Sequence, residues 1–256
     1  MQLTGFRDRA ALVTGAAGGI GRAVVEALSK AGAYVIATDT AAALQSAPLP
    51  GIDCRPMDVR DAEAVTATVA DIVAEQGSLP LGVHAAGVLS VGPITRMSAE
   101  EWHRVIDVNL TGTFHVAGAL GRAMAQAGGG AIVAVSSNAA GIPRMNMGAY
   151  AASKAAVSML IRCLGLELAS RGVRCNIVAP GSTLTPMQTG MWDHRHGHGE
   201  EQVIAGDLAQ FRTGIPLGKL ASPGDIAQAV MYLLSEQAGH VTMADLYVDG
   251  GATLRA

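Results

Sequence analysis

Short apolar runs alternate along the chain with longer, helix-like stretches. The short runs are rich in Val, Ile and Ala and predict β-strands at residues 10–13, 34–38, 52–57, 81–85, 131–136, 173–178 and 246–248. The longer stretches predict helices at residues 20–31, 62–75, 99–127, 150–170 and 225–234. Strands that alternate with helices and lack a polar face are typical of a parallel sheet covered on both sides. We therefore expect an α/β fold with a doubly wound, Rossmann-like parallel sheet.

One segment interrupts this alternation. Residues 182–214 carry Pro, Met, Trp and a histidine-rich tract, and long irregular insertions in compact domains are usually functional or disordered. Elsewhere the sequence has neither a Pro/Ser-rich linker nor an internal repeat of 20–50 residues. The pattern predicts a single domain over residues 1–256, with a lid-like insertion at about 182–214.

Composition and charge narrow the class of protein. Of the 256 residues, 50% are hydrophobic and only 15% are charged, which excludes a disordered chain. The formal net charge of −3 and the sequence pI near 6.1 provide no general attraction to nucleic acids or anionic membranes. The sequence has no unbroken apolar run near the ~20 residues of a membrane span, and its first residues do not resemble a signal peptide. We expect a cytoplasmic protein that binds neither membranes nor nucleic acids.

A glycine-rich turn follows the first predicted strand. It contains Gly15, Gly19 and Gly21 and leads directly into the first predicted helix. Glycines allow a tight turn and a close approach of the backbone to a pyrophosphate, while the helix N-terminus supplies free N–H groups. An ordinary connection in a glycine-rich protein is the alternative, but the strand–turn–helix context favours a dinucleotide site.

Acidic residues end the next two strands. Asp39 ends the second, about 20 residues after the glycine turn, where a carboxylate accepts hydrogen bonds from the adenosine ribose and repels a 2′-phosphate. The sequence has no Arg between Asp39 and Leu49 that could bind such a phosphate, so NAD is favoured over NADP. Asp58 and Val59 follow the third strand and are candidates to flank the adenine, although an Asp at a strand end is common.

Tyr150 and Lys154 lie four residues apart in a predicted helix, so their side chains share one face. The chain has only four tyrosines and three lysines, which makes a chance pair at this spacing rare. A nearby ammonium stabilises a phenolate, so Lys154 is expected to lower the pKa of Tyr150 and make it a usable base. Ser137, at a strand end, is either a backbone cap or a donor to the same substrate oxygen. Together the three predict a catalytic set.

These motifs resemble the short-chain dehydrogenase/reductase family over nearly the whole chain. The glycine turn, Asn109, Ser137, the Tyr150–Lys154 pair and Pro180-Gly181 match that family in order and spacing. The resemblance implies that Asn109 holds a water linking Lys154 to solvent. It also implies cofactor contacts from the glycine turn, Asp39 and a further set: Ile20, Asp58, Val59, Ala85, Gly87, Tyr150, Lys154, Thr183 and Thr185.

The sequence departs from the family pattern at His84, where the family usually has Asn. That Asn is mainly structural in the family, so the change puts the local geometry of the sheet in doubt rather than the chemistry. The family resemblance carries no metal site. His194, His196 and His198 alternate on a polar stretch that is typical of an exposed tract, without a Cys or carboxylate at zinc spacing. We expect no metal.

The second half of the chain resembles one branch of the family, bacterial dehydrogenases of catechol-siderophore biosynthesis that oxidise a cyclic dihydrodiol carboxylic acid. Residues 142–150 and 182–187 carry this likeness best. Arg144 lies between Ser137 and Tyr150, where a guanidinium can bind the carboxylate of a small-molecule substrate. A surface arginine or an intersubunit salt bridge is equally open. Met187 is a candidate apolar cover over a flat ring, or simply packs the insertion.

Other functions remain open at this point. A family member that acts on another cyclic alcohol, or a 3-oxoacyl reductase, is one alternative, although such reductases usually use NADP and lack an acid like Asp39. A non-catalytic NAD-binding sensor is another, but it would be expected to lack Tyr150 or Lys154. The family resemblance further implies a homotetramer assembled through the long helices.

Overall fold

Seven short apolar runs form a parallel sheet in the computed structural model, which describes residues 2–192 and 199–254. Val, Ile and Ala dominate these runs because both faces of the sheet are covered. In the described part of the chain the strands are β1 (Ala10–Thr14), β2 (Tyr34–Asp39), β3 (Asp53–Pro56), β4 (Leu81–His84), β5 (Gly130–Val135), β6 (Val173–Pro180) and β7 (Asp245–Val248). Each lies within two residues of its predicted bounds, so the predicted doubly wound parallel sheet is confirmed.

The strand order in the sheet is β3-β2-β1-β4-β5-β6-β7. The chain moves outwards from β1 to β3, then returns to β4 on the other side of β1. Loops on the two sides of this reversal leave the sheet in opposite directions and open a crevice at the carboxyl ends of the strands. Nucleotide-binding sheets of this type bind their ligands in that crevice.

Helices cover both faces of the sheet. Those of the described residues are α1 (Gly19–Lys30), α2 (Ala41–Ser46), α3 (Ala62–Gln76), α4 (Ala99–Ile106), α5 (Gly112–Ala127), α6 (Gly148–Leu168), α7 (Pro186–Thr189), α8 (Glu200–Ala205) and α9 (Pro223–Leu234). One apolar core lies between the sheet and α1 with α9, and a second between the sheet and α3, α5 and α6. Fully burying one of their large side chains, such as Leu28 or Ile161, contributes about 1.5–3 kcal/mol.

The predicted helix over residues 99–127 is interrupted. A π-helical turn, Asp107–Thr111, separates α4 from α5, and Asn109 lies in it with its side chain fully buried. Such turns insert one extra residue into a helix and are frequent at functional sites. The apolar pattern alone could not predict the turn, because α4 and α5 each keep a helical pattern on either side of it.

The segment over residues 182–214 has more regular structure than the sequence predicts. It contains α7, α8 and a 3₁₀ turn at Leu208–Gln210 in its described part. These elements are too short to show a helical period in the sequence, which explains why the pattern indicated an irregular insertion. The movement expected of a lid stays a prediction.

Helix α6 is the longest of the described helices and is markedly apolar. The 24 residues from Gly148 to Arg171 could cross a membrane by length and composition, a test that core helices of globular domains also pass. Here the helix packs on β6, and Lys154 is buried within it. Its apolar residues are therefore explained on one side by packing against the sheet.

Candidate active site

A cavity of about 390 Å³ opens at the carboxyl ends of β1, β4, β5 and β6. Its size suits a small organic ligand. Many of the residues predicted from the sequence line it: Ile20, Ala85, Gly87, Ser137, Arg144, Tyr150, Lys154, Thr183, Thr185 and Met187. Asp39 is the last residue of β2, and Asp58 and Val59 follow β3, further along the same edge of the sheet.

The glycine turn after β1 has no room for side chains at three of its positions. Gly15 has φ +68°, and a β-carbon there would lie 2.5 Å from the Ala86 nitrogen. A β-carbon at Gly21 would lie 2.1 Å from the Gly15 carbonyl oxygen, and one at Gly19 would lie 2.7 Å from Thr185 Cγ2. Helix α1 begins beside the cavity without a side-chain cap on its first N–H groups. These features fit a pyrophosphate bound by backbone amides.

The Asp39 carboxylate lies at the end of β2, as predicted. Its Oδ2 accepts a hydrogen bond from the Ala17 amide at 3.1 Å, which ties the second strand to the glycine turn. Arg22 of α1 reaches the segment after β2, where its Nη2 donates to the carbonyls of Ala47 and Pro48. That guanidinium is already bonded to the chain, which leaves Asp39 as the charged group beside the glycine turn.

Asp58 and Val59 have partners within the protein. Arg60 Nη2 donates to Asp58 Oδ2 at 2.6 Å and holds the pKa of that carboxyl below its usual range. The Val59 carbonyl oxygen is 2.9 Å from His115 Nδ1, and the Val59 side chain packs so closely on Gly112 that a β-carbon there would lie 2.6 Å away. A role of these two residues beside the adenine stays a prediction.

Tyr150 and Ser137 meet at the centre of the cavity. Helix α6 brings Tyr150 back over the end of β5, where its hydroxyl hydrogen bonds with that of Ser137. Burial raises the pKa of Tyr150, and the Ser137 hydrogen bond lowers it in part. Ser137 Oγ also accepts from the Ala139 amide at 3.1 Å, so it acts as a backbone cap as well. The structure therefore confirms the backbone cap, while the hydrogen bond from Ser137 to the substrate oxygen stays a prediction.

Lys154 is buried one turn further along α6. Its Nζ donates to the Val135 carbonyl at 2.9 Å and lies 5.8 Å from the centroid of the Tyr150 ring. Burial lowers the pKa of Lys154 to about 8. The expectation that Lys154 lowers the pKa of Tyr150 does not hold here, because burial of the phenol outweighs other effects and the ammonium is bonded to Val135.

Asn109 supports this arrangement from the π-helical turn. Its amide nitrogen donates to the Val88 carbonyl at 3.0 Å and to Ser153 Oγ at 2.9 Å, while its oxygen accepts from the Val88 amide at 2.8 Å. A β-carbon at Gly87 would lie 3.3 Å from Lys154 Nζ and 3.4 Å from Asn109 Oδ1, so these groups face each other across that glycine. The expected water link between Asn109 and Lys154 stays a prediction.

His84 keeps the two central strands in register. Its Nδ1 is 2.8 Å from Thr14 Oγ1, and Thr14 and His84 are paired across β1 and β4. Burial, with a smaller effect of the Lys154 charge, lowers the pKa of His84 to about 3, so the ring is neutral at physiological pH. The substitution of His for the family's usual Asn therefore leaves the parallel pairing intact.

Arg144 and Met187 both line the cavity beyond Tyr150. Arg144 belongs to the loop between β5 and α6, and Met187 belongs to α7. Burial lowers the pKa of Arg144, and the nearby charge of Arg212 adds to this, whereas Asp249 opposes it. The ion pairs of the described residues do not include Arg144, and its role at the substrate or between subunits stays a prediction.

Sequence reasoning missed Arg212, which also lines the cavity. The only local signal is the pair Gly206 and Gly214, which bracket it within an aperiodic stretch. It also missed Ser136, whose Oγ donates to the Lys154 carbonyl at 3.0 Å and holds α6 to β5. Sequence spacing does not identify such supporting contacts, because they depend on how the helix packs.

The metal prediction is only partly covered by the structure. Over residues 2–192 and 199–254, three or more His, Cys, Asp or Glu side chains nowhere form a group that could hold a metal ion. The histidine tract, His194, His196 and His198, lies outside the described residues. Its exposed character stays a prediction.

Comparisons with known proteins show the family to which the chain belongs. A family model of the short-chain dehydrogenase type, described as enoyl-(acyl carrier protein) reductase, matches residues 15–253. The chain belongs to the short-chain dehydrogenase/reductase family and is an oxidoreductase that uses a nicotinamide dinucleotide. This confirms the family predicted from the motifs.

Individual relatives within the family are similar to this chain over nearly their whole length. The chain is 48% identical to 2,3-dihydro-2,3-dihydroxybenzoate dehydrogenase of Bacillus subtilis (strain 168), over 99% of each chain. It is 46% identical to the vibriobactin-specific 2,3-dihydro-2,3-dihydroxybenzoate dehydrogenase of Vibrio cholerae serotype O1, over 95% of each. Among solved structures, ligand-free aldohexose dehydrogenase of Thermoplasma acidophilum is similar, with a TM-score of 0.88 and 32% identity, covering 100% of this chain and 98% of that one. The branch predicted from residues 142–150 and 182–187 agrees with the first two relatives.

Proposed function

We propose that this protein oxidises 2,3-dihydro-2,3-dihydroxybenzoate to 2,3-dihydroxybenzoate with NAD, in catechol-siderophore biosynthesis. The observation that carries the proposal is the guanidinium of Arg144, which lines the same cavity as the Tyr150–Ser137 pair. A carboxylate on the substrate ring would give this cation a partner. The relatives from Bacillus subtilis and Vibrio cholerae are named for this reaction.

NAD fits the glycine turn and Asp39. Backbone amides at the start of α1 would bind the pyrophosphate, and Asp39 would accept from the adenosine ribose and disfavour a 2′-phosphate. Lys154 would bind the nicotinamide ribose. The remaining contacts would come from the predicted set along the edge of the sheet: Ile20, Asp58, Val59, Ala85, Gly87, Thr183 and Thr185. Bound NAD supplies the hydride acceptor.

Tyr150 would act as the base. Its phenolate takes the proton from the C3 hydroxyl of the substrate as the hydride leaves C3, and Ser137 donates a hydrogen bond to the same oxygen. Lys154, with Asn109 behind it, would compensate the phenolate charge and carry the proton to solvent. The ketone that forms tautomerises to the aromatic product, and this step favours oxidation. Met187 would cover the ring from α7.

A second surface supports a proposal about the quaternary structure. We propose a homotetramer assembled through α5 and α6, in the cytoplasm. Exposed apolar side chains on these helices support it: Phe114, Met159 and Leu166 are 61%, 55% and 70% exposed. A second copy packed on this surface would bury them. Light scattering after gel filtration should give four times the chain mass of 26.0 kDa.

The decisive experiment for the function is a paired assay. Purified protein is mixed with the dihydrodiol acid and either NAD or NADP, and the reduced cofactor and the catechol product are both followed. We expect rapid turnover with NAD and slow turnover with NADP. A carboxylate-free cyclic diol and a 3-oxoacyl substrate serve as comparisons; higher kcat/KM on either of them would refute the proposed substrate.

A further inference from the structure

Two guanidinium groups face the substrate end of one cavity from different parts of the chain. Arg144 comes from the loop that precedes α6, and Arg212 comes from the segment between α8 and α9. They are close enough that the charge of Arg212 acts on Arg144. Two like charges in one partly desolvated cavity repel each other, so an anion that lies between them would be favoured.

Among the described residues, the neighbouring carboxylates form no ion pair with these two guanidinium groups, and the charge of Asp249 offsets only part of the repulsion on Arg144. Asp207 accepts hydrogen bonds from the Ala209 amide and from Gln210 Nε2, each at 2.9 Å, which cap its own 3₁₀ turn. The Asp249 carboxylate accepts from the Gly251 amide, the Thr253 amide and Asn138 Nδ2 at 3.0–3.3 Å. In the described part of the chain, neither carboxylate forms an ion pair with a cavity guanidinium.

Arg212 has unused hydrogen-bonding capacity. Its Nε is buried and has no hydrogen-bond partner among the described residues. A buried N–H without a partner is costly, typically about 1–3 kcal/mol, and is rare in folded proteins unless a ligand or water completes it. The position of this group at the cavity wall indicates that a ligand oxygen is the missing acceptor.

The backbone holds Arg212 in place. Asp207 and Arg212 exchange two backbone hydrogen bonds, with N–O distances of 3.0 and 2.8 Å, and Ile215 donates to the Ile204 carbonyl at 2.9 Å. Gly206 has φ +87°, and a β-carbon on it would lie 2.5 Å from the Gly214 nitrogen. This tight hairpin fixes where the Arg212 side chain starts, as a binding residue requires.

We propose that Arg212 and Arg144 together form the subsite that binds the substrate's carboxylate, one guanidinium from each side. The inference rests on the proposed function and extends it, since it assigns a second residue to substrate recognition and defines the ligand class as cyclic carboxylates. The anion removes the repulsion between the two arginines and gives the Arg212 Nε its acceptor. Binding of a carboxylate therefore also holds the 206–214 hairpin against the loop before α6.

The test compares cyclic ligands with and without a carboxylate. Calorimetry with NAD-saturated protein measures the Kd of 2,3-dihydroxybenzoate, benzoate and catechol, which lacks the carboxylate. We expect Arg212→Gln to weaken both acids about 10- to 100-fold and to change catechol less than twofold. Arg212→Lys, which keeps a positive charge, should restore most of the affinity for the acids. Arg7→Gln, which removes an exposed arginine far from the cavity, should leave all three Kd values unchanged.

Two outcomes overturn the subsite. If Arg212→Gln weakens catechol as much as the acids, Arg212 only maintains the hairpin. If the acids bind the variant within twofold of the native protein, Arg212 does not contact the carboxylate. Failure of the proposed function is separate, because it would be seen as absent oxidation of the dihydrodiol acid by the native protein. Arg212-dependent binding of benzoate would then still establish the carboxylate subsite.

Discussion

The two sides of the cavity present their polar groups in different ways. On the side of β1 and β2, the glycine turn offers backbone amides, and a β-carbon at Gly21 would lie only 2.1 Å from a backbone oxygen, which excludes every residue except glycine. On the side of β5 and α6, the polar groups belong to side chains: Ser137, Arg144, Tyr150 and Lys154. The first side is defined by the absence of side chains, and the second by their chemistry.

In the proposed function, the backbone amides of the glycine turn bind the cofactor, and the side chains on the other side of the cavity select the substrate. A backbone site can bind any pyrophosphate and changes only if the turn itself changes. A side-chain site can exchange one residue for another on the same scaffold. The two sides meet at Gly19, which packs on Thr185 at the start of α7, so the 182–214 segment rests directly on the glycine turn.

We call the side of the cavity at β1 and β2 the backbone half and the side at β5 and α6 the side-chain half. The largest effect should come from a substitution in the side-chain half. Tyr150→Phe removes the proposed base and should lower kcat about 10³-fold, or roughly 4 kcal/mol, because general-base catalysis is lost. The Kd for NAD should stay within twofold, since the backbone half is untouched. Tyr34→Phe, on an exposed tyrosine at the start of β2, is the matched control. Activity above a tenth of the native value in Tyr150→Phe would remove Tyr150 from the mechanism.

A second test measures how far the buried Lys154, the proposed catalytic lysine, destabilises the folded protein. The pKa of Lys154 falls from 10.5 to about 8 on folding, so the unfolded chain binds more protons between these values. Burial of the charged Lys154 therefore lowers the free energy of unfolding by about 3 kcal/mol below pH 8. This destabilisation disappears as the pH rises towards 10.5, where the lysine is neutral in both states. Lys154→Met should raise the free energy of unfolding of the cofactor-free protein at pH 7 by up to this amount, while it abolishes activity.

Urea unfolding at pH 7 and pH 10, at one fixed protein concentration, checks this prediction. The stability difference between Lys154→Met and the native protein should shrink at pH 10. Lys219→Met, on an exposed lysine, should give a difference that does not change with pH. A constant difference for Lys154→Met as well would mean that burial does not depress this pKa.

The backbone half should respond through cofactor affinity. Gly21→Ala places a β-carbon against the Gly15 carbonyl and should weaken NAD binding about 100-fold, or roughly 2.7 kcal/mol. Gly19→Ala meets a Thr185 side chain that can rotate, so it should fold normally and weaken NAD less. Gly224→Ala, in α9 with ordinary contacts, is the control. Titration of NAD by protein fluorescence gives the three Kd values; unchanged affinity in both turn variants would contradict the proposed pyrophosphate site.

The smallest effect is expected at Asp39, whose side chain lies beside the glycine turn and is proposed to determine the preference for NAD over NADP. Asp39→Ala removes the negative charge beside the adenosine ribose and should raise the ratio of kcat/KM for NADP over NAD about tenfold. Asp71→Ala, on the exposed face of α3, should leave the ratio as it is. Steady-state kinetics with both cofactors would exclude Asp39 as the selecting residue if the ratio did not move.

The backbone half could be predicted from the sequence almost completely. Its signals are local, because a strand, three glycines and an acid at a strand end each appear in the chain at the spacing that the geometry needs. Tyr150 and Lys154 were predictable for the same reason, since four residues along a helix determine that they share a face. Helix α2 was missed because its six residues are too few to show a helical period in the sequence, and none of them is buried.

The rest depends on contacts between distant parts of the chain. Arg212 and Arg144 are 68 positions apart, and only the hairpin at Gly206 and Gly214 brings the first into the cavity of the second. The predicted direction of the Tyr150 pKa shift was wrong. Burial, which raises this pKa, depends on packing, whereas the sequence shows only the neighbouring ammonium. Residue spacing therefore identifies partners within one element but not across elements.

The π-helical turn that carries Asn109 makes the length of this stretch as important as its composition. One residue of an α-helix advances the chain by about 100° around the axis, so the extra residue in Asp107–Thr111 lets α4 and α5 present their apolar sides in different directions. A deletion there would restore regular winding but rotate one of the two helices away from its core. Single-residue insertions and deletions, more than substitutions, should therefore be the changes that this part of the chain tolerates least.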